Sequence, residues 1–325
     1  MISLENRPGI LRANASFLLA GAGLVALNFA APYAAAFLLR YMGRMQALCV
    51  INLCFYLPFL ALPAVLFAGR HGADSLRLNP ARLSDVFWCL VMAAVCVFFA
   101  NGVSALWTIL LESLGGTPSG AGLDVQSRDD LLMAIFVMGV LPGVCEELLM
   151  RGVVLGAYEC GGTRRAVLIS AALFALLHAS VEGLPVQFLM GVVLGFLAVT
   201  TQSLYVGMML HTAYNSFLVL ISFTLGGAAD VAGLTETGSM LEIVGGATGV
   251  IALGVEALIA GGILVAILRG VYLRRAREEG LEPVPKSPMP MDGVQIVVLI
   301  SALVTVAFLY GQDVLSLMGV LQCTR

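Results

Sequence analysis

Residues 129–152, DDLLMAIFVMGVLPGVCEELLMRG, form an apolar stretch that ends in two adjacent acids and an arginine. The apolar part is typical of a helix inside a membrane. A charged side chain at such a depth is costly, and where it occurs it marks a functional site by default. Glu146, Glu147 and Arg151 therefore indicate polar chemistry at the end of a membrane helix.

The composition of the whole chain places these charges in a membrane protein. Of its 325 residues 60% are hydrophobic and only 11% are charged, and the mean hydropathy is +0.98. A soluble domain carries about 25% charged residues, so this chain has too few to cover a water-facing surface. The composition excludes an ordinary soluble enzyme, a disordered chain and a nucleic-acid-binding protein, which needs a basic face.

Continuous apolar runs predict an all-α polytopic membrane protein. A spanning helix needs about 20 apolar residues, and the runs do not alternate every second residue as barrel strands do. We expect about nine transmembrane helices, or eight as the alternative, with helices four to seven as the core. The first run is long enough to span, so we expect an uncleaved first helix rather than a signal peptide. The runs lie at 15–39, 45–69, 86–111, 131–150, 166–181, 184–201, 204–225, 245–268 and 294–312.

The basic residues predict the orientation of the chain. With the N-terminus inside, the inside segments hold 13 of the 17 basic residues, which is the bias of cytoplasmic loops. We therefore expect an integral membrane protein with its N-terminus inside and its C-terminus outside. A proline-rich loop at 278–292 separates the last span, which we interpret as an appendage.

Polar side chains recur at helical spacing in three of the runs. Glu147 and Arg151 are four residues apart, in the favourable order for an ion pair on one helix face. Glu146 is rotated by about 100° from Glu147, so we expect it to face the bundle interior, beside a bend made by Pro142. Two further pairs are four residues apart on later helices: Phe174 with His178, and His211 with Asn215.

These residue types supply the groups that hydrolysis of an amide bond needs. Glu146 in a wet cavity could act as a general base on water, and His178 could share and return the proton. His211 and Asn215 offer hydrogen-bond donors to a developing oxyanion. Each group also has a structural interpretation: an ion pair for Glu147 and Arg151, packing for Phe174, and interhelical hydrogen bonds for the histidines and Asn215.

Two features limit this interpretation. Glu256 is another acid deep in an apolar run, and we interpret it as a hydrogen-bonded structural group. At 1.5 Å per residue, His178 lies about 20 Å from the loop near Arg165, whereas His211 lies only about 10 Å from the same side. We therefore expect helix four to continue past Arg151 toward Tyr158 and helix five to start late or to tilt, since otherwise the groups would not converge.

The three motifs together resemble the signature of the CAAX prenyl endopeptidase and bacteriocin-processing family, called CPBP or Abi. That signature is EExxxR, FxxxH and HxxxN, and it is intact here at Glu146–Arg151, Phe174–His178 and His211–Asn215. The resemblance covers a core at 129–224. Further membrane helices at 1–128 and 225–325 flank this core in a single membrane domain of 1–325.

The resemblance implies an intramembrane glutamate protease, a hydrolase of peptide bonds in a bacterial inner (plasma) membrane. In the family, the residues matching Glu146 and His178 activate water, and those matching His211 and Asn215 form the oxyanion hole. The implied partners are membrane lipid and a peptide, membrane-protein or lipidated-protein substrate, with no nucleic acid. Three residues have implied supporting roles: Glu147, Arg151 and Phe174.

No metal cofactor is expected, because HExxH is absent and one glutamate with two histidines on three helices is an incomplete zinc set. Zinc held by Glu146, His178 and His211 is the alternative. Two other functions fit the sequence. One is a catalytically idle membrane scaffold or a peptide or bacteriocin immunity protein of the same fold. The other is a proton-coupled transporter with Glu146 and the histidines as its relay.

Overall fold

The computed structural model describes residues 8–68, 72–117, 125, 127–232, 239–279 and 291–320. These residues form helices and no strand, which confirms the predicted all-α class, and residues 280–290 of the predicted proline-rich loop lie outside them. Within these described ranges, eight helices are long and apolar enough to cross a membrane, the lower of the two expected counts. The helices are α1 (Ile10–Leu38), α2 (Arg44–Phe67), α3 (Gly72–Ser75), α4 (Leu83–Ser113), α5 (Arg128–Gly161), α6 (Thr163–Leu177), α7 (Leu184–Thr201), α8 (Leu204–Ala232), α9 (Met240–Ile243), α10 (Ala247–Glu279) and α11 (Gly293–Leu317).

Helix α6 is shorter than the apolar run 166–181 predicts. It has 15 residues, so it is about 22 Å long, less than the roughly 30 Å hydrocarbon core of a bilayer. The helix stops because the chain turns immediately after Leu177: Ala179 has a left-handed backbone, with φ of 48°. The prediction of a full span at 166–181 is therefore wrong, and His178 lies at a helix end rather than within a helix.

Helix α5 is the central helix of the bundle. Half of its most apolar window is buried inside the protein, compared with 11% for α10 and 17% for α11. Leu149, Met150 and Val153 have no exposed surface. Helices α1, α2 and α8 pack around α5, while α4 pairs with α10, α1 with α11, and α6 with α7. The charged stretch at 146–151 therefore faces other helices rather than lipid.

The helix levels explain how residues at different predicted depths converge. Helix α5 continues to Gly161, which confirms the expected continuation past Arg151. Glu146 and His178 are then each 15 residues from the α5–α6 turn, about 22 Å along their helices.

A buried arginine sets the level at which α8 begins. The Arg77 carbonyl accepts a hydrogen bond from the Leu204 backbone nitrogen at 2.8 Å, and the Arg77 guanidinium donates to the Arg151 carbonyl at 3.1 Å and pairs with Glu159. Arg77 and Glu159 are both 1% exposed. Helix α8 thus starts near the level of Arg151, and His211, seven residues on, reaches the level of Glu146.

Two glycines let α5 and α8 approach closely. Gly139 and Gly143 form a GxxxG motif, the small-residue pattern of close membrane-helix contacts. A Cβ atom on Gly143 would lie 3.0 Å from the Thr212 backbone nitrogen and 3.2 Å from its Cα. Because both atoms belong to the backbone, the helices would have to separate.

We predict that Gly143→Ala lowers the free energy of unfolding by about 1–3 kcal/mol, the usual cost of overpacking. The thermal unfolding midpoint of the purified protein in detergent measures this. Gly262→Ala is the matched control, because a Cβ there meets no atom within 4 Å. That variant should be neutral or gain up to about 1 kcal/mol from helix propensity. Equal effects of the two substitutions would contradict the close approach.

Candidate active site

Glu146 lies at the meeting point of α2, α5, α6 and α8. It follows one π-helical segment of α5 (Ile135–Val140) and precedes another (Leu148–Val154), a feature that is frequent at functional sites. Its Oε1 accepts a hydrogen bond from the Tyr56 hydroxyl at 3.0 Å. Its Oε2 lies 3.9 Å from Nε2 of both His178 and His211. The structure therefore brings together the acid and the two imidazoles that the sequence analysis selected.

The protonation of His178 follows from its backbone contact. Nδ1 lies 2.8 Å from the Phe174 carbonyl oxygen, which can only accept, so Nδ1 carries the proton and donates. In the neutral ring Nε2 is then a lone pair directed toward Glu146. The side chain is 28% exposed, whereas Glu146 and His211 are buried, so His178 is the most accessible of the three groups.

His211 is held by the second acid, Glu147. Its Nδ1 lies 3.1 Å from Glu147 Oε1, and the same oxygen accepts from Arg151 Nη1 at 2.7 Å. Because an ion-paired carboxylate accepts hydrogen bonds, His211 Nδ1 carries a proton. Glu147 and Arg151 have no exposed surface, which confirms the predicted ion pair. Gly207 leaves the space for this carboxylate, since a Cβ there would lie 2.9 Å from Glu147 Oε2.

Phe174 covers the buried arginine. The Arg151 guanidinium carbon lies 4.3 Å from the centre of the Phe174 ring, a cation–π arrangement. The edge-to-face contacts of this ring have centroid distances of 4.7 Å to His178 and 5.8 Å to His211. Phe174 therefore packs all three side chains into one unit, which agrees with the packing role expected for it.

Asn215 lines a cavity beside Glu146 and the two histidines, but its amide already has a backbone partner. Its Nδ2 donates to the Met138 carbonyl at 2.9 Å. Proline has no N–H to donate to the carbonyl four residues earlier, and for Pro142 that carbonyl is Met138. Asn215 thus donates to a carbonyl that Pro142 cannot bond. One amide hydrogen of Asn215 stays available for a ligand, because an amide nitrogen has two.

A cavity of about 910 Å³ opens beside these residues. This volume lies near the top of the range for small-molecule and cofactor sites, which is roughly 300–1,000 Å³. Its lining includes Glu146, His178, His211 and Asn215, and also Asn101 on α4 and Glu256 on α10. The groups that could react therefore face a space large enough for part of a peptide.

The described residues contain no group of three or more His, Cys, Asp or Glu side chains arranged to hold a metal ion. Tetrahedral zinc with bonds of about 2.0–2.1 Å places neighbouring ligand atoms roughly 3.4 Å apart. The 3.9 Å between Glu146 Oε2 and each histidine Nε2 is wider than that. The metal-free site remains a prediction, with zinc at Glu146, His178 and His211 as its alternative.

Comparisons with known proteins identify the segment that holds this site. Residues 128–217 match the family model described as type II CAAX prenyl endopeptidase Rce1-like. The resemblance predicted from the three motifs is thereby confirmed over this segment, which contains all three. No solved structure matches the chain closely enough to count as a relative.

Two curated bacterial proteins are also similar to the chain. YdiL of Bacillus subtilis, named provisionally as a membrane peptidase, is 30% identical over 154 residues, which are 47% of this chain and 60% of YdiL. The membrane-embedded CAAX protease MroQ of Staphylococcus aureus is 27% identical over 140 residues, which are 41% of this chain and 56% of MroQ. The chain thus matches a little more than half the length of each relative.

The last helix holds the loop that carries His178. On α11, Tyr310 donates to the Ala175 carbonyl at 3.0 Å, and Asp313 Oδ2 accepts from the Val181 backbone nitrogen at 2.8 Å. On α4, Trp107 Nε1 donates to the Val181 carbonyl at 2.8 Å. The interpretation of the last span as an appendage is therefore wrong, because α11 fixes the end of α6.

Sequence reasoning missed these supporting residues. The run 294–312 stops one residue before Asp313, whereas α11 extends to Leu317 and buries that acid. An acid inside a span was the available signal. Tyr56 and Trp107 carried no such signal, because aromatic residues are common throughout membrane helices.

We predict that Asp313→Ala loosens the loop after His178 without unfolding the bundle. Backbone amides at 179–183 should exchange about tenfold faster or more, since a hydrogen bond to a charged group contributes about 1.5–3 kcal/mol. Hydrogen–deuterium exchange with mass spectrometry measures this. Gln312→Ala is the control, because Gln312 bonds Asn28 on α1 instead. Unchanged exchange at 179–183 in Asp313→Ala would contradict the conclusion that α11 positions the loop after His178.

Proposed function

We propose that the protein is an intramembrane endopeptidase of the CAAX protease and bacteriocin-processing type, in which Glu146 activates water. The observation that carries this proposal is the position of Glu146 Oε2, 3.9 Å from Nε2 of both His178 and His211 at the wall of one cavity. That distance is too long for a direct hydrogen bond. It suits one water molecule that contacts all three groups.

Glu146 and His178 are the proposed proton acceptors for that water. Glu146 Oε2 has no hydrogen-bond partner among the described residues, whereas Oε1 is held by Tyr56. His178 directs the Nε2 lone pair at the same point, because its Nδ1 proton is engaged by the Phe174 carbonyl. The water loses one proton to this pair as its oxygen attacks the peptide carbonyl carbon.

His211 and Asn215 are the proposed donors to the oxyanion that then forms. Glu147 accepts from Nδ1 of His211 and so fixes the ring with Nε2 facing the cavity, where a proton on Nε2 would be donated to the oxyanion. The remaining amide hydrogen of Asn215 is the second donor. Preorganised donors of this kind each contribute about 10²–10³ to the rate.

The proton taken from water leaves with the amine. When the tetrahedral intermediate collapses, the carbon–nitrogen bond breaks and His178 or Glu146 returns the proton to the departing nitrogen. The products are a carboxylic acid and an amine, so one water is consumed per bond. His178 suits this transfer because it is the most exposed of the three groups.

The family-level match to CAAX prenyl endopeptidases supports the reaction class, and the names of the two relatives agree with it. We propose a peptide, membrane-protein or lipidated-protein substrate that enters the cavity from the surrounding lipid. The eight membrane-length helices support an integral membrane protein. An inside N-terminus and an outside C-terminus, in a bacterial plasma membrane, remain part of the proposal.

We predict that Glu146→Ala and His178→Ala each lower the rate of peptide cleavage by about 10²–10⁴, the usual contribution of a positioned acid or base. Mass spectrometry of protein termini in cells with the parent or the variant protein identifies the substrates. Cleavage of matching peptides by purified protein then gives the rates. Glu242→Gln is the control, since this exposed acid caps the short helix α9.

Full cleavage activity in Glu146→Ala would refute the mechanism. A parent protein that cleaves nothing, with a cellular phenotype that survives Glu146→Gln, would favour the idle scaffold or immunity protein. Flux into proteoliposomes that depends on a pH gradient and is lost in Glu146→Gln would favour the transporter.

We predict that cleavage does not need a metal ion. Treatment with EDTA or 1,10-phenanthroline should leave the rate within about twofold of the untreated protein, because no step of the mechanism requires a Lewis acid. Elemental analysis of the purified protein should find less than one zinc per chain. Loss of activity on chelation that zinc restores would instead support the alternative site at Glu146, His178 and His211.

A further inference from the structure

Glu256 is a second carboxylate on the wall of the catalytic cavity. It lies nine residues into α10, about 13 Å along the helix, and so well inside the apolar part of a membrane-length segment. Its Oε1 accepts a hydrogen bond from Asn101 Nδ2 on α4 at 3.2 Å. Both side chains line the cavity that also holds Glu146. The cavity thus has two sets of polar side chains: one around Glu146, and the pair formed by Asn101 on α4 and Glu256 on α10.

The charges around the cavity favour a cation. The described residues that line it include two carboxylates, Glu146 and Glu256, the two histidines beside Glu146, and neither lysine nor arginine. Arg151, a buried cation on the same helix as Glu146, is covered by Glu147 and Phe174 and has no exposed surface. A carboxylate in a cleft with low-dielectric walls attracts ligands of the opposite sign.

The part of the chain that the structure describes also offers Glu256 no charged partner. Glu256 makes no ion pair with any residue that the structure describes, and Asn101 offers it one neutral hydrogen bond. A carboxylate at membrane depth is costly, and such residues normally face a cavity or pair with a cation. Glu256 satisfies the first condition in the protein alone, and a bound cation would satisfy the second.

We propose that Glu256, with Asn101, is a binding subsite for a positively charged nitrogen of the substrate. The group is the ammonium or guanidinium of a lysine or arginine side chain, or the free amine of a peptide N-terminus. This inference rests on the proposed function, since it assigns the substrate class of that cavity. The protein would therefore select cationic peptides over neutral peptides of equal length and hydrophobicity.

Binding can be measured separately from cleavage. The Glu146→Ala protein in lipid nanodiscs is titrated with dye-labelled apolar 12-residue peptides, and fluorescence anisotropy gives the dissociation constants. One set is N-terminally acetylated with a single lysine scanned along the sequence. The matched set has methionine at each of those positions, and a third set has methionine with a free N-terminus. The first and third sets distinguish a side chain from a terminal amine.

We expect at least one cationic peptide to bind about tenfold more tightly than its neutral match, the scale of a partly desolvated charge pair. Glu256→Gln added to the Glu146→Ala protein should remove this preference and leave neutral peptides unaffected. If the Gln variant does not fold, Glu256→Ala is expected to remove the preference for cationic peptides in the same way. Glu256→Asp, which keeps the carboxylate, should retain part of the preference. Glu278→Gln is the control, because it removes an exposed acid from the same helix.

Three results would overturn the subsite. The first is that the Glu146→Ala protein binds cationic and neutral peptides equally. The second is that the preference for cationic peptides persists when Glu256→Gln or Glu256→Ala is added. The third is that these substitutions weaken the binding of cationic and neutral peptides equally, which indicates a purely structural bond between α4 and α10. A cleavage assay on otherwise unsubstituted protein separates the two proposals. Cleavage that survives Glu146→Ala would refute the mechanism and leave the binding result standing.

Discussion

The rest of the site depends on the ion pair and the hydrogen bond that the carboxylate of Glu147 makes. This carboxylate is buried completely, pairs with Arg151 one helical turn later, and accepts from His211 on α8. A buried charge is stable only when it is paired and hydrogen-bonded. Because the partners of Glu147 come from α5 and α8, its electrostatic requirement holds these two helices in one register, while Gly139 and Gly143 supply the close contact.

Adjacent acids in the chain have separate tasks because a helix turns about 100° per residue. Glu147 faces inward, toward Arg151, and is neutralised there. Glu146 faces the cavity, where Tyr56 holds one oxygen and two imidazoles approach the other. The pair thus combines a structural charge with a chemically available one. The structural charge orients His211, whose Nε2 lies 3.9 Å from Glu146 Oε2.

The segment that matches the CAAX endopeptidase family does not complete the site alone. It spans 128–217. The hydroxyl that donates to Glu146, however, belongs to Tyr56 on α2, and the loop after His178 is held by α4 and α11. The second polar wall of the cavity comes from α4 and α10. The polar groups of the site therefore belong to the family segment, whereas the outer helices position them and complete the cavity.

The sequence by itself determined the helical class, the approximate position of every long helix, and the faces shared by residues four apart, such as Glu147 with Arg151. These properties follow from local hydropathy and helix geometry. Only the tertiary structure decided that His211 meets Glu147 across 64 residues and that Asp313 meets Val181 across 132. Apolar runs look alike on every face, so hydropathy cannot indicate which helices touch. The contacts between helices depend instead on small residues, buried charges and hydrogen bonds that pair only in the folded protein.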